Sequence, residues 1–317
     1  MGNLVFALNA TIPVFVMMII GYLLHRIGWL DDVLADKMNT FVFRIPLPVM
    51  LFGQLANVDI RSAWDGSYVL FCFTVTLAGI GIAFLVSNLL RDRTLRGEMV
   101  QASYRSSAAL LGVALINNIY GSSTMAALMI VAAVPIYNIA AVIVLTVLSP
   151  DRAGSGKVTK ALLMKTLKGV VTNPIIIGCL IGTAWSLLRI PLPAIPAKVV
   201  SNIGSLATPL GLMAMGATFD WNRAFGRIRP ALAATFLKLL GFCTVFLPVA
   251  ILLGFRTEKL IAILVMLGSA TTVSCYVMAR NTGHEGVLTS SVVMLTTLLS
   301  GFTLTFWIYL LRMLGFV

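Results

Sequence analysis

The 317-residue chain is 59% hydrophobic and only 11% charged, with a mean hydropathy of +0.98, which leaves too little polar surface to cover a globule in water. Its solvent is lipid, and without a polar domain or a long linker the sequence reads as a single membrane domain, 1–317. The net charge of +12 does not indicate nucleic acid, because Lys and Arg fall in the short gaps between apolar runs and are not gathered on one face.

Taken from the N-terminus, the apolar run 4–24 lacks a preceding basic residue and a small-residue cleavage pattern, so it is expected to be a retained span rather than a signal peptide. About 20 apolar residues cross the hydrocarbon, which predicts ten spans near 4–25, 39–56, 67–90, 104–120, 124–148, 169–188, 198–218, 230–253, 258–279 and 288–311. The stretch 149–168, which opens on a Pro/Ser/Gly-rich segment, reads as a cytoplasmic linker. Fifteen Lys and Arg residues lie in the odd-numbered gaps, Arg105 counted among them, against six in the even gaps and C-terminus. Positive charge marks the cytoplasm, so a multi-pass protein of the plasma (inner) membrane with both termini outside is expected. Cys72, Cys179, Cys243 and Cys275 lie in apolar runs without zinc or disulfide spacing, so no metal or cofactor is expected.

The chain also repeats itself. At a constant offset of 161, Pro13 meets Pro174, Gly21 meets Gly182, Lys37 meets Lys198, Pro48 meets Pro209, Leu51 meets Leu212 and Asp59 meets Asp220. At an offset of 162, Ser107 meets Ser269, Ala108 meets Ala270 and Gly121 meets Gly283. Repeat one is assigned to 1–148 and repeat two to 169–317. Five spans per copy is an odd number, so the second copy enters the membrane upside down. The expected fold is therefore all-α, with about ten transmembrane helices in a 5+5 inverted repeat, an arrangement that suits secondary transport by alternating access.

In such folds the solute meets interrupted helices near the midplane. Matching polar clusters occur in span four, at Arg105, Ser106, Ser107 and onward to Asn117, and in span nine, at Ser269, Thr271, Thr272 and Ser274. Close helix packing is the competing reading for any one of these small residues. Asn138 and Asn173 adjoin the helix breakers Pro135 and Pro174, where hydrogen bonding within the bundle competes with a role at the site.

The run FVFRIPLPVMLF over 41–52, which contains Leu47, resembles a pattern of the auxin efflux carrier family. So do Tyr104-Arg105-Ser106 with Leu111-Gly112, Asn173-Pro174, and Thr272-Val273-Ser274 with Tyr276-Val277-Met278-Ala279. That family includes plant PIN carriers and bacterial transporters of malonate- or malate-like acids. The resemblance spans essentially the whole chain. It implies a scaffold of spans one, two, six and seven, a moving domain of the other six, two broken helices, four and nine, crossing at the solute site, and an elevator-like movement. Ala114 and Ala270 stand where similar proteins often carry Pro, so here the breaks must rest on Ser, Gly and their neighbours.

Two charges fall within spans, where each costs about 2.5–3.5 kcal/mol or more. Arg44 is a candidate partner for a solute carboxylate, with snorkelling to the interface as the competing reading. Lys238 is read as a charge at the crossover, neutralising half-helix C-terminal ends in place of a coupling cation, or equally as a snorkelling structural lysine. No Asp or Glu is expected in mid-span, and His25 and His284 are expected to face water. The expected function is a non-enzymatic carrier of a small organic anion, a mono- or dicarboxylate, whose partners are the solute and membrane lipid, with a homodimer as a compatible assembly. A solute-binding sensor or an anion channel is the alternative reading.

Overall fold

The computed structural model describes residues 13, 16–57, 64–108, 116, 119–120, 124–150, 160–219 and 221–317. Among them the regular elements are all helices. Five are long and apolar enough to cross a bilayer: Gly66–Ser87, Met125–Val147, Ala194–Ala217, Ile228–Leu252 and Val287–Met313. Val16–Arg26 and Pro174–Leu187 are shorter apolar helices. A further helix, Lys160–Val171, begins within the stretch read as a linker.

The second predicted span, 39–56, is not one continuous helix. It is preceded by about two extra turns and divided at Ile45 into Asp32–Arg44 and Pro46–Ala56. Asp31 starts the first piece by accepting from the Leu34 amide at 2.7 Å, a conventional N-cap. Ile45 leaves the helical region at φ −125°, ψ −69°, because Pro46 restricts the residue before it and brings no N–H to the ladder. The seventh span is divided more mildly, into Ala194–Ser205 and Ala207–Ala217. Pro209 has no amide to offer the Ser205 carbonyl, and Leu206 bonds back to Ile203 at 3.2 Å in a tighter 3₁₀ turn. Leu206 and Ile45 differ by 161 positions, as do Ala207 and Pro46, and Ala217 and Ala56.

These pieces pack with Val16–Arg26 and Pro174–Leu187 through glycines. A Cβ at Gly21 would lie 2.2 Å from the Met213 carbonyl oxygen, and one at Gly182 would lie 2.8 Å from that of Phe52. Both pairs are backbone against backbone, the close approach that small residues permit between helices in lipid. A second group of helices is built around Thr257–Gly268, in which every residue from Leu260 to Gly268 is buried. An apolar half-helix buried on all sides belongs to the centre of a bundle. Its neighbours include the Thr124–Val147, Phe242–Leu252 and Val287–Met313 helices.

Two features of this bundle correct the sequence reading. His284 does not face water: it is 2% exposed, with Nε2 3.0 Å from the Leu145 carbonyl and its ring against Gly97. Glu98, in what read as a polar gap, is 1% exposed. Its carboxylate accepts from the Gly286 amide at 3.0 Å and from the Thr289 amide and hydroxyl, each at 2.9 Å. The charge is thus held at the positive end of the Val287–Met313 helix. Glu98→Gln should destabilise the protein by about 1.5–3 kcal/mol, read as a lower midpoint in thermal unfolding in detergent with faster amide exchange at Gly286 and Thr289. An unchanged midpoint would show that the cap contributes little.

At the opposite end of the bundle, Asp65 caps the Gly66–Ser87 helix through the Tyr68 amide at 3.0 Å and pairs with Lys259. The Lys259 hydrogen bond, followed by those from Ser67 and Tyr68, holds its carboxyl well below the usual carboxylate range. A folded-state pKa lowered in this way gives stability that is present above the unfolded value, about 3.9, and lost as pH falls through the folded one. Below about pH 4, the unfolding midpoint of the wild type should therefore fall more steeply with pH than that of Asp65→Asn. Parallel curves would show that the pair adds nothing.

Candidate functional site: a crossing of two interrupted helices

The Arg96–Tyr104 helix stops at Tyr104, and segment 105–107 is extended, beginning at Arg105 with φ −72°, ψ 138°. Thr257–Gly268 stops at Gly268, segment 269–273 is non-helical, and a new helix runs over Ser274–Asn281. The two breaks meet, the Ser107 amide donating to the Ala270 carbonyl at 2.8 Å. Ala270 is 3% exposed, so the second break forms without a proline at this position. Ala114 lies outside the described residues.

Two buried helix ends leave carbonyls that need partners, and side chains take over. The Ala102 carbonyl accepts from the Thr271 hydroxyl at 2.8 Å, and the Thr271 amide donates to the Thr296 hydroxyl at 3.0 Å. Lys238, 0% exposed, sits in a π-helical turn, Leu237–Gly241, of the kind that often marks functional positions. Its Nζ lies 2.8 Å from the Leu267 carbonyl and 3.4 Å from those of Tyr104 and Met266. It also donates to Ser106 Oγ, which in turn donates to the Met266 carbonyl. Among the described residues the Ser269 hydroxyl is buried without a partner, as are both side-chain polar atoms of Gln101, one turn before Arg105.

Arg105, counted from sequence among the gap cations and also placed in the span-four polar cluster, is 3% exposed. Nη2 donates to Asn138 Oδ1 and to Ser274 Oγ, each at 2.9 Å, and Nη1 contacts the Met278 sulfur at 2.8 Å. Nε has no partner. No carboxylate among the described residues pairs with the guanidinium. Asn138 is held in turn by Nδ2 donation to the Val134 carbonyl at 2.9 Å, with Cys179 Sγ 3.5 Å away. Ser274 is the first residue of its helix, so the guanidinium and a positive helix end share one place. Ser107 and Thr272 are the less buried members of the crossing, with the Thr272 hydroxyl 3.2 Å from that of Ser274.

Of the residues singled out from sequence, Arg105, Ser106, Ser107, Asn138, Ser269, Thr271, Thr272, Ser274 and Lys238 thus lie at or directly contact the crossing. Asn117 lies outside the described residues. Asn173 caps the Pro174–Leu187 helix, its Oδ1 accepting from the Ile175 amide at 2.9 Å. Leu47 is buried in the first turn of Pro46–Ala56. Arg44 is exposed in the last turn of Asp32–Arg44, where the helix dipole favours a cation. Sequence reasoning did not single out Gln101, the carbonyls of Met266 and Leu267, which carry no side-chain signal at all, or Tyr137, whose carbonyl accepts from the Tyr104 hydroxyl at 3.1 Å and whose own hydroxyl lies 3.4 Å from the Met266 carbonyl.

Residues 6–308 match the profile of a family described as "Membrane transport protein". The chain is 23% identical over 311 residues to a Rhizobium meliloti protein named "Putative malonate transporter", covering 95% of this chain and 94% of the relative. It is also 23% identical over 307 residues to an "Uncharacterized transporter" of Methanothermobacter thermautotrophicus, covering 94% of this chain and 96% of the relative.

Proposed function

Because this chain belongs to the membrane transport protein family, the auxin efflux carriers, and is a non-enzymatic membrane transporter, we propose that it carries a small organic anion, a mono- or dicarboxylate, through the crossing by alternating access. The observation that carries this reading is the Arg105 guanidinium: buried, without a carboxylate partner among the described residues, and aimed at the first residue of Ser274–Asn281. A fixed cation at membrane depth is expensive, and a solute carboxylate arriving beside Ser274 would neutralise it through a planar fork suited to two oxygens. The name of the Rhizobium meliloti relative supports a dicarboxylate such as malonate. Arg44, outward-facing, is less suited to the role than Arg105.

The ten-span inverted repeat is proposed on the same footing. Its support is the 161-residue offset that relates the divided spans and their ends. It also relates the Gly21–Met213 contact to the Gly182–Phe52 contact, as a two-fold axis would. An elevator-like movement would slide the bundle around Thr257–Gly268 against the glycine-packed group. The contacts then exchanged would include the Arg280–Asp36 ion pair, the Tyr276–Thr218 hydroxyl pair and the Asn39 amide bond to the Val277 carbonyl. Residence in a plasma membrane with both termini outside, and assembly as a homodimer, belong to the same proposal.

Purified protein in proteoliposomes should take up labelled malonate faster than empty vesicles, saturably, with competition by other short dicarboxylates. Uptake no faster than in empty vesicles across a panel of mono- and dicarboxylates, with folded protein present, would refute the substrate class. Ion currents far above carrier turnover would refute alternating access.

A further inference from the structure

We propose that the Lys238 ammonium is a built-in monovalent cation for the crossing: it occupies a preformed oxygen cage between two half-helix C-terminal ends, so that the crossing needs no free inorganic cation at this place. The cage is visible in the contacts. Nζ is surrounded by the carbonyls of Tyr104, Met266 and Leu267 and by the Ser106 hydroxyl. Tyr104 ends the Arg96–Tyr104 helix, and Met266 and Leu267 lie in the last turn of Thr257–Gly268. The negative poles of two helix dipoles therefore converge on one point.

The rest of the cage carries no formal charge. Among the described residues no carboxylate pairs with Lys238, and its neighbours are carbonyl and hydroxyl oxygens. Neutral oxygens at the ends of broken membrane helices are the ligand set that suits a hard monovalent cation such as sodium. Here the cation is tethered through the π-helical turn Leu237–Gly241, which sets the backbone register of Lys238 against the two helix ends. A void of about 10 Å³, lined in part by Thr76, Tyr104, Tyr137, Lys238 and Met266, adjoins the ammonium. Loss of the lysine stem would enlarge it. The residue is a positioning group: it touches the backbone that shapes the crossing, whatever solute the protein carries.

The test uses the full-length protein in detergent, without any solute. Lys238→Ala should unfold at a lower temperature than the wild type and should be re-stabilised by sodium or by n-propylammonium. A saturable rise of about 3–5 °C is expected, since a ligand that binds only the folded state raises its midpoint. Matched choline chloride should not produce this rise, and the wild-type midpoint should be the same in sodium and choline. Equal responses of variant and wild type to all three cations would overturn the proposal. Lys238→Met, which keeps most of the stem's volume without the charge, covers the case in which the alanine variant does not fold. The methionine variant should show faster amide exchange in 105–107 and 269–273. Wild-type stability and wild-type protection of those segments in Lys238→Met would reduce the lysine to packing and also overturn the proposal. A failed search for the transported anion touches neither arm.

Discussion

Arg105→Ala is expected to lower uptake of the transported anion by about 30- to 4,000-fold, the largest functional effect of any single substitution proposed. Removing one partner of a buried, hydrogen-bonded charge pair costs about 2–5 kcal/mol, and each 1.4 kcal/mol is tenfold. The guanidinium already has its orientation fixed by Asn138 and Ser274, so little ordering remains when a carboxylate binds. Arg105→Lys keeps the charge but loses the fork, and its stem must place an ammonium where two guanidinium nitrogens now stand. Its uptake should fall by about tenfold or more. Arg44→Ala, changing an outward-facing residue, should stay within about twofold, a surface-scale effect. Arg105→Ala with wild-type uptake, in vesicles holding the same amount of folded protein, would remove Arg105 from the site.

The second large effect concerns stability. Gly21→Ala should destabilise the protein by about 2–3 kcal/mol and Gly182→Ala by a comparable amount, the upper range for overpacking. The added methyl at Gly21 meets the Met213 backbone at 2.2–2.8 Å, and the methyl at Gly182 meets Phe52 backbone and Leu55 Cβ at 2.8–3.0 Å. A side chain in the way could change rotamer, whereas a backbone oxygen requires the helices to part. Gly81→Ala is the control: a Cβ there meets nothing within 4 Å, and an exposed helical Gly→Ala should be neutral or stabilising by up to about 1 kcal/mol. Unfolding titrations in mixed micelles compare the three. Equal stability of all three variants would show that close approach of these helices is not what holds the group together.

Hydropathy made the helical class legible, because it depends on local composition. The break at 269–273 was also legible, since Ser269, Thr271, Thr272 and Ser274 form a polar cluster in an apolar run. Ile45 was harder to see. Pro46 stood in plain view, but mean hydropathy over a window does not register a single missing amide. Glu98 was misplaced for the opposite reason: between two apolar runs it scored as a gap residue, yet partners 188 and 191 positions away bury it. His284 follows the same rule, its partner Leu145 being 139 positions distant. Lys238 was recognisable as an anomaly, but the oxygens it satisfies are mostly backbone, and backbone carbonyls have no sequence signature.

Thiol accessibility at Thr272 tests the carrier reading most directly. This residue is less buried than its neighbours in the crossing and borders Ser274, so it should face whichever compartment the site is open to. In a background with Cys72, Cys179, Cys243 and Cys275 replaced, Thr272→Cys should react with an impermeant maleimide applied from either side of the membrane, and the transported anion should protect it from both. Reaction from one side only, whatever the direction of the anion gradient, would contradict alternating access through this crossing.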